Sequence, residues 1–282
     1  FRSNFIKVKK IKLNNIKTIC VGNIYLGGTG KTSISIEIKK ILDEKNIKSC
    51  FIKKNYSNQF DEQKLLKKFG KTFSDKSRFT SLKKASDENY KVAIFDDGLQ
   101  DKNISYDLIF VCFNKKNFIG NGRIIPSGPL REPLKNIEKY KNIFLNGNDE
   151  DEKNLEEILR QDYSNLNFFE SKYDLLNLNQ FNLDKKYVVF SGIGNHDTFI
   201  DMLIRNKFKI IKDFEFNDHY IYEKKDIEKI IRFASENDAE ILTTKKDYLR
   251  LNKQLQKGIN YTKINLKISA KEKLTKKLIE LL

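Results

Sequence analysis

The stretch Leu26-Gly27-Gly28-Thr29-Gly30-Lys31-Thr32 follows the apolar run Ile19-Cys20-Val21 and opens a long helical pattern. A glycine-rich turn between a buried strand and a helix lets the main chain approach phosphate oxygens with its N–H groups turned inward. The helix adds the positive end of its dipole. In such a loop Gly27, Gly28, Thr29 and Gly30 supply backbone, Lys31 reaches the β- and γ-phosphates, and the Thr32 hydroxyl ligates Mg²⁺. The usual pattern has a glycine where Tyr25 stands, and Gly27 and Gly28 can supply the missing flexibility. An ordinary strand-to-helix turn is the bland alternative, but Gly-Lys-Thr at this junction points to a nucleotide.

Around this loop the pattern alternates strand and helix. Apolar runs at Lys17–Val21, Cys50–Lys53, Val92–Phe95, Leu108–Phe113 and Asn142–Leu145 predict strands buried on both faces of a parallel sheet. Thr32–Leu42, Asp61–Phe69 and Arg78–Ala85 read as helices. A second alternating unit begins at Lys186, with strands at Tyr187–Ser191, Phe208–Asp213, Ala239–Leu242 and Tyr261–Leu266. Its helices are expected over Asp197–Arg205, Glu223–Asn237 and Ala270–Leu282. The expected fold is α/β: a P-loop NTPase-like, mostly parallel sheet flanked by helices, with a second smaller α/β domain. The expected division is residues 1–150 as the nucleotide-binding domain, 151–185 as a connecting region, and 186–282 as the smaller domain closing the cleft.

Composition narrows the partners. The formal net charge is +16 in 282 residues, which suits a phosphorylated substrate, an anionic membrane surface or nucleic acid. The lysines are spread along the chain and no RNA-binding aromatic signature interleaves them, so nucleic acid is not expected. No apolar run is long enough to span a bilayer. Cys20, Cys50 and Cys112 lie in strand-like runs without metal spacing and read as small core residues.

Two further clusters carry chemistry. Asp96-Asp97 ends the run Val92-Ala93-Ile94-Phe95, the place where P-loop proteins set the carboxylate that organises Mg²⁺. Asp97-Gly98 is equally turn chemistry. All three prolines fall within positions 126–133, stiffening a loop that carries Arg123, Arg131 and Glu132. Such a loop suits an electrostatic clamp on a transferring phosphoryl group, or a crossover loop whose arginines are merely solvated.

Taken in order, several motifs resemble the tetraacyldisaccharide 4′-kinase family. They are Val21-Gly22-Asn23-Ile24, the Gly27–Thr32 loop, Asp96-Asp97-Gly98-Leu99-Gln100, Gly120-Asn121-Gly122-Arg123 and Pro129-Leu130-Arg131-Glu132-Pro133. Ser191-Gly192-Ile193-Gly194-Asn195, Asp218-His219-Tyr220 and Leu242-Thr243-Thr244-Lys245-Lys246-Asp247 resemble that family's second domain. The likeness spans nearly the whole chain, and the family's phosphate loop also lacks the first glycine.

The resemblance implies an ATP- and Mg²⁺-dependent lipid kinase acting on the 4′-hydroxyl of tetraacyldisaccharide 1-phosphate in lipid A synthesis. It implies peripheral contact with the cytoplasmic face of a bacterial inner membrane. Lys31 and Thr32 would meet the phosphates, and Thr32, Asp96, Asp97 and Glu132 the metal. Arg78 and Arg131 would be catalytic arginines. Asp61 would be the base, paired with His219, which by itself reads as a surface histidine. The family's membrane-dipping segment would precede Phe1, leaving Arg2, Lys7, Lys9, Lys10 and Lys12 as its remnant. The chain departs from the pattern at Lys53-Lys54-Asn55-Tyr56-Ser57, where Ser-Arg-Gly-Tyr-Gly is usual. It departs again at Phe60, in place of glycine, and at Asp101, in place of histidine. The alternatives are another P-loop ATPase or GTPase, or a basic polyanion binder with a vestigial nucleotide site. An Asn-Lys-x-Asp base-reading motif, usual in GTPases, is absent from the sequence.

Overall fold

Runs with no polar side chain to present become the inner strands of a parallel sheet. In a computed structural model, residues 10–55, 60–147, 155–218 and 220–282 are described. The chain divides into two compact units, Phe1–Ser171 with Ile268–Leu282, and Lys172–Lys267.

The first unit carries strands β1 (Lys17–Gly22), β2 (Ser49–Lys54), β3 (Thr72–Asp75), β4 (Val92–Asp96), β5 (Leu108–Asn114), β6 (Asn142–Asn146) and β7 (Asn167–Leu175). Helix α1 (Lys31–Glu44) follows β1, α2 (Phe60–Phe69) follows β2, and α3 (Arg78–Asp87) follows β3. The short α4 (Ile137–Tyr140) and α5 (Leu155–Asp162) precede β6 and β7. The strand order is β7-β6-β5-β1-β4-β2-β3, every one of these neighbours parallel. An eighth strand, β12 (Ile264–Ile268), completes the sheet beside β7. The register sets Val21 against Asp96, so the end of β1, where the glycine loop departs, lies beside the acidic end of β4. That is the carboxyl edge at which open α/β sheets bind ligands.

Packing explains why α1 sits where it does. Ile34, Ile38, Ile41 and Leu42 recur at helical spacing and are fully or almost fully buried. Each contributes roughly 1.5–3 kcal/mol of apolar burial. The three cysteines are free and buried, and burial pushes the Cys50 thiol up to about 12.

The second unit holds a parallel four-stranded sheet of order β11-β10-β8-β9. Its strands are β8 (Lys186–Ser191), β9 (Lys209–Glu215), β10 (Ala239–Thr244) and β11 (Ile259–Thr262). Helices α6 (His196–Arg205), α7 (Lys224–Glu236) and α8 (Lys245–Arg250) connect them.

Three boundaries differ from the sequence pattern. Residues 151–185 are not simply a connector, since α5 and β7 fall there and Leu155, Leu159, Phe168 and Phe169 are buried. The single strand expected at Tyr261–Leu266 is two strands in different sheets. Finally, α9 (Lys271–Ile279) belongs to the first unit. Its Leu274 and Leu278 are fully buried, Lys273 donates to the Phe168 carbonyl (3.1 Å) and Lys271 pairs with Glu44 (2.8 Å).

Candidate active site

The glycine loop is shaped by its backbone before any side chain acts. Gly30 is left-handed (φ 82°) where it enters α1, and Gly27 also has positive φ (123°), conformations that cost a side chain dearly and glycine little. No acidic residue occupies the first turn of α1, so the helix's partial positive charge is left for an anion. The Thr29 hydroxyl and the Asn23 Oδ1 are buried and have no hydrogen-bond partner.

Across from the loop, Asp96 is fully buried at the end of β4. Its Oδ2 accepts from the Thr32 hydroxyl (3.1 Å) and the Lys53 ammonium (2.7 Å), and its Oδ1 accepts from Ser35 (3.4 Å). Lys53 also pairs with Glu62 in α2. Burial disfavours the Lys53 charge, but Asp96 and Glu62 outweigh it and raise its pKa above the ordinary lysine range.

The next residue turns away. Asp97 has φ 57° and donates its N–H to the Val21 carbonyl (2.9 Å), which aims its carboxylate at the loop. Arg131 lies 3.2 Å and Lys31 3.8 Å from its Oδ1, while Arg78 donates to its main-chain carbonyl (2.5 Å). Burial favours a neutral Asp97. Lys31, Arg131, Lys53 and Arg78 together overcome that and hold its pKa below the usual carboxylate range.

Arg131 reaches this point on a stitched backbone. The Pro-rich loop joins the phosphate loop through Leu26 N–H to Pro129 O (2.8 Å) and Arg131 N–H to Ile24 O (2.7 Å). Within the Pro-rich loop, Asn121 donates to Ser127 O (2.9 Å) and accepts from Arg123 N–H (3.0 Å). A Cβ on Gly128 would sit 2.1 Å from Asn121 Oδ1, so that turn requires glycine. Glu132 takes hydrogen bonds from Asn136 (2.7 Å) and Tyr140 (2.8 Å). Gln100 touches both loop side chains, accepting from Arg131 (3.2 Å) and reaching Glu132 (3.5 Å). Burial first, then Glu132, raises the Tyr140 phenol and keeps it a donor.

With this geometry in view, the whole sequence, residues 1–282, matches the family described as tetraacyldisaccharide-1-P 4′-kinase, LpxK. The chain belongs to that family. It is 54% identical over 272 residues to the tetraacyldisaccharide 4′-kinase of Pelagibacter ubique (strain HTCC1062), covering 96% of this chain and 87% of that one. It is 30% identical to the corresponding protein of Rickettsia canadensis (strain McKiel), covering 94% and 84%. A crystal structure described as "apo" form LpxK from Aquifex aeolicus in complex with ATP superposes with a TM-score of 0.68. It is 25% identical and covers 98% of this chain and 91% of that one. The membership sets aside the other P-loop classes and the vestigial polyanion binder as readings of this chain. It is an enzyme of the kinase class that uses ATP with Mg²⁺.

The structure brings Lys31, Thr32, Asp96, Asp97, Arg78 and Arg131 together, with Glu132 joined to them through Gln100. The donor set suits Mg²⁺, which takes hard oxygen ligands. Thr32 and Asp96 already share a hydrogen bond, Asp97 is held ionised beside them, and the unpartnered Thr29 hydroxyl lines the same loop. The Asp61 side chain and His219 lie outside the described residues, as do Arg2, Lys7 and Lys9. Lys12 pairs with Asp107 (2.6 Å). Sequence reasoning missed Lys53, Glu62 and Gln100 as members of this network. Asp101, noted only as a departure, ion-pairs with Arg78 (3.6 Å).

Proposed function

We propose that this chain transfers the γ-phosphoryl group of ATP to the 4′-hydroxyl of tetraacyldisaccharide 1-phosphate through the residues assembled at the carboxyl edge of the first sheet. The observation that carries the reading is the convergence of Lys31, Thr32, Asp97 and Arg131 beside a glycine loop whose helix has no acidic residue in its first turn.

Loop N–H groups and Lys31 bind the β- and γ-phosphates. Thr32, Asp96, Asp97 and Glu132 would hold Mg²⁺, which when bound neutralises phosphate charge. Phosphoryl transfer passes through a loose transition state with charge on the equatorial oxygens. Arg131, held by Asp97 and Gln100, and Arg78, held by Asp101 and the Asp97 carbonyl, would stabilise that charge. In this reading Asp61 accepts the proton of the attacking sugar hydroxyl and His219 orients it.

The acceptor is a lipid, and the +16 net charge suits an anionic bilayer surface. Peripheral association with the cytoplasmic face of the inner membrane is therefore part of the proposal. Among the described residues no helix is long and apolar enough to cross a membrane.

The test is phosphoryl transfer from radiolabelled ATP to tetraacyldisaccharide 1-phosphate in detergent micelles, for the parent, Lys31→Ala and Asp61→Ala. Transfer by the parent alone is the expected result. Transfer that survives Asp61→Ala would remove Asp61 as the base while leaving the kinase. A folded, ATP-binding parent that transfers nothing would overturn the acceptor assignment.

A further inference from the structure

Lys53 needs an explanation that nucleotide binding does not supply. It lies in β2 (Ser49–Lys54), is 2% exposed, and follows Phe51 and Ile52, which have no exposure at all. A buried ammonium is costly unless it is paired and hydrogen-bonded. Lys53 achieves this with two carboxylates from different elements, Asp96 at the end of β4 and Glu62 in the first turn of α2. The same ammonium therefore touches the carboxylate that Thr32 binds and the residue next to Asp61.

We infer that Lys53 is a positioning residue: a cation supplied by the protein itself, held between Asp96 and Glu62, that ties the start of α2 to the nucleotide-side carboxylate. Its consequence for ion binding follows from charge and geometry. Without the ammonium, Asp96 and Glu62 would face each other with the Thr32 and Ser35 hydroxyls alongside. Oxygen sets of that kind recruit a hard divalent cation. Lys53 thus fills a place that would otherwise bind a divalent ion without nucleotide. It leaves Asp96 aligned, through Thr32 and Ser35, for the ion that arrives with ATP.

The kinetic part of this inference rests on the kinase reading, and the ion-binding part does not. The deciding experiment uses Mn²⁺ as the probe, titrated without nucleotide and followed by calorimetry and electron paramagnetic resonance. Lys53→Met, matched in length and uncharged, is expected to bind one Mn²⁺ at least about tenfold more tightly than the parent. Lys53→Met/Glu62→Gln is expected to lose that gain. A folded Lys53→Met with parental Mn²⁺ affinity overturns the inference, as does a double variant that keeps the gain.

Glu62→Gln provides a variant at a partly exposed position (18%) that stays testable if Lys53→Met does not fold. It keeps Lys53 on Asp96 but loosens α2, and kcat is expected to fall about tenfold with KM for ATP within about twofold. An unchanged kcat, or a loss carried by KM for ATP, overturns the positioning role. If the parent itself transfers no phosphate, the kinase reading fails while the Mn²⁺ titration still decides on Lys53.

Discussion

Asp96 and Asp247 are both fully buried carboxylates at the carboxyl edge of a parallel sheet, one in each unit, yet they do different work. Asp247 is closed off by its own neighbourhood. It accepts from Thr244 (2.5 Å), Arg250 (3.0 Å), Tyr222 (2.9 Å) and the Gly192 N–H (3.1 Å). Arg250 also donates to the Gly192 carbonyl (2.6 Å). That network joins the Ser191–Asn195 and Leu242–Asp247 motifs into one clamp. Asp96 is held by Thr32, Ser35 and Lys53, all remote in sequence, and beside it stand Asp97, Lys31 and Arg131 with side chains 19%, 14% and 24% exposed. A buried carboxylate at or just past a strand end is therefore not itself the mark of a site. The mark is a neighbouring set of cations beside a glycine-rich loop that a phosphate can still reach.

Substitutions that separate the two carboxylates should divide along the same line. Lys31→Ala is expected to cut phosphoryl transfer by about a thousandfold or more, roughly 4 kcal/mol of transition-state stabilisation, with the urea midpoint moved far less than by Asp247→Asn. Transfer assays and urea titration on one preparation check both halves. Asp247→Asn should do the reverse, weakening the acceptor that Thr244, Tyr222, Arg250 and the Gly192 N–H share at a cost of about 1–3 kcal/mol in stability. Binding of a fluorescent ATP analogue to the folded fraction should stay parental. An Asp247→Asn protein with an unchanged urea midpoint and no transfer would break the comparison outright.

Leu274→Ala, on the helix that returns to the first unit, should lower stability by about 2–5 kcal/mol. Limited proteolysis should then open sites within Phe1–Ser171 before those in Lys172–Lys267.

The smallest effect is in acid. Asp97 has a folded pKa below its unfolded one, so its contribution is complete above the ordinary carboxylate value of about 4. It is lost as pH falls through the depressed folded value. The stability gap between the parent and Asp97→Asn should be constant near neutrality and close only below about pH 4. A gap that closes between pH 6 and 8 would show that the cations around Asp97 do not hold it ionised.

Much of this was legible in the sequence because buried parallel strands must be apolar and phosphate loops must be glycine-rich. Both constraints are local, and both recover β1, β4 and the Gly27–Thr32 loop with Asp96 and Asp97 opposite. The strand β3 was not legible, since Thr72-Phe73-Ser74-Asp75 offers a single apolar residue on a sheet edge. Nor was β7, whose Asn167–Leu175 run mixes polar and apolar residues and is only partly buried. Lys53 was hidden for a related reason. A lysine ending an apolar run reads as the point where a strand meets solvent, and only the position of α2 shows that this one turns inward. Arg78 and Asp101 were each noticed, but their pairing depends on how α3 packs and not on spacing.

The return of the C-terminal segment to the first unit sets an order of events during synthesis. The first six strands and the start of β7 leave the ribosome before Lys172–Lys267 and wait while that insertion is made, for about 5–20 seconds at ordinary translation rates. Until β12 arrives, β7 presents a bare edge, and until α9 arrives the ground that Leu274 and Leu278 cover stays wet. Unpaired strand edges of this kind are where nascent chains stick to one another. Lys31, Thr32, Asp96, Asp97 and Arg131 are all made before that interval begins. The segment Ile268–Leu282 thus acts as the closing seam of a unit begun long before.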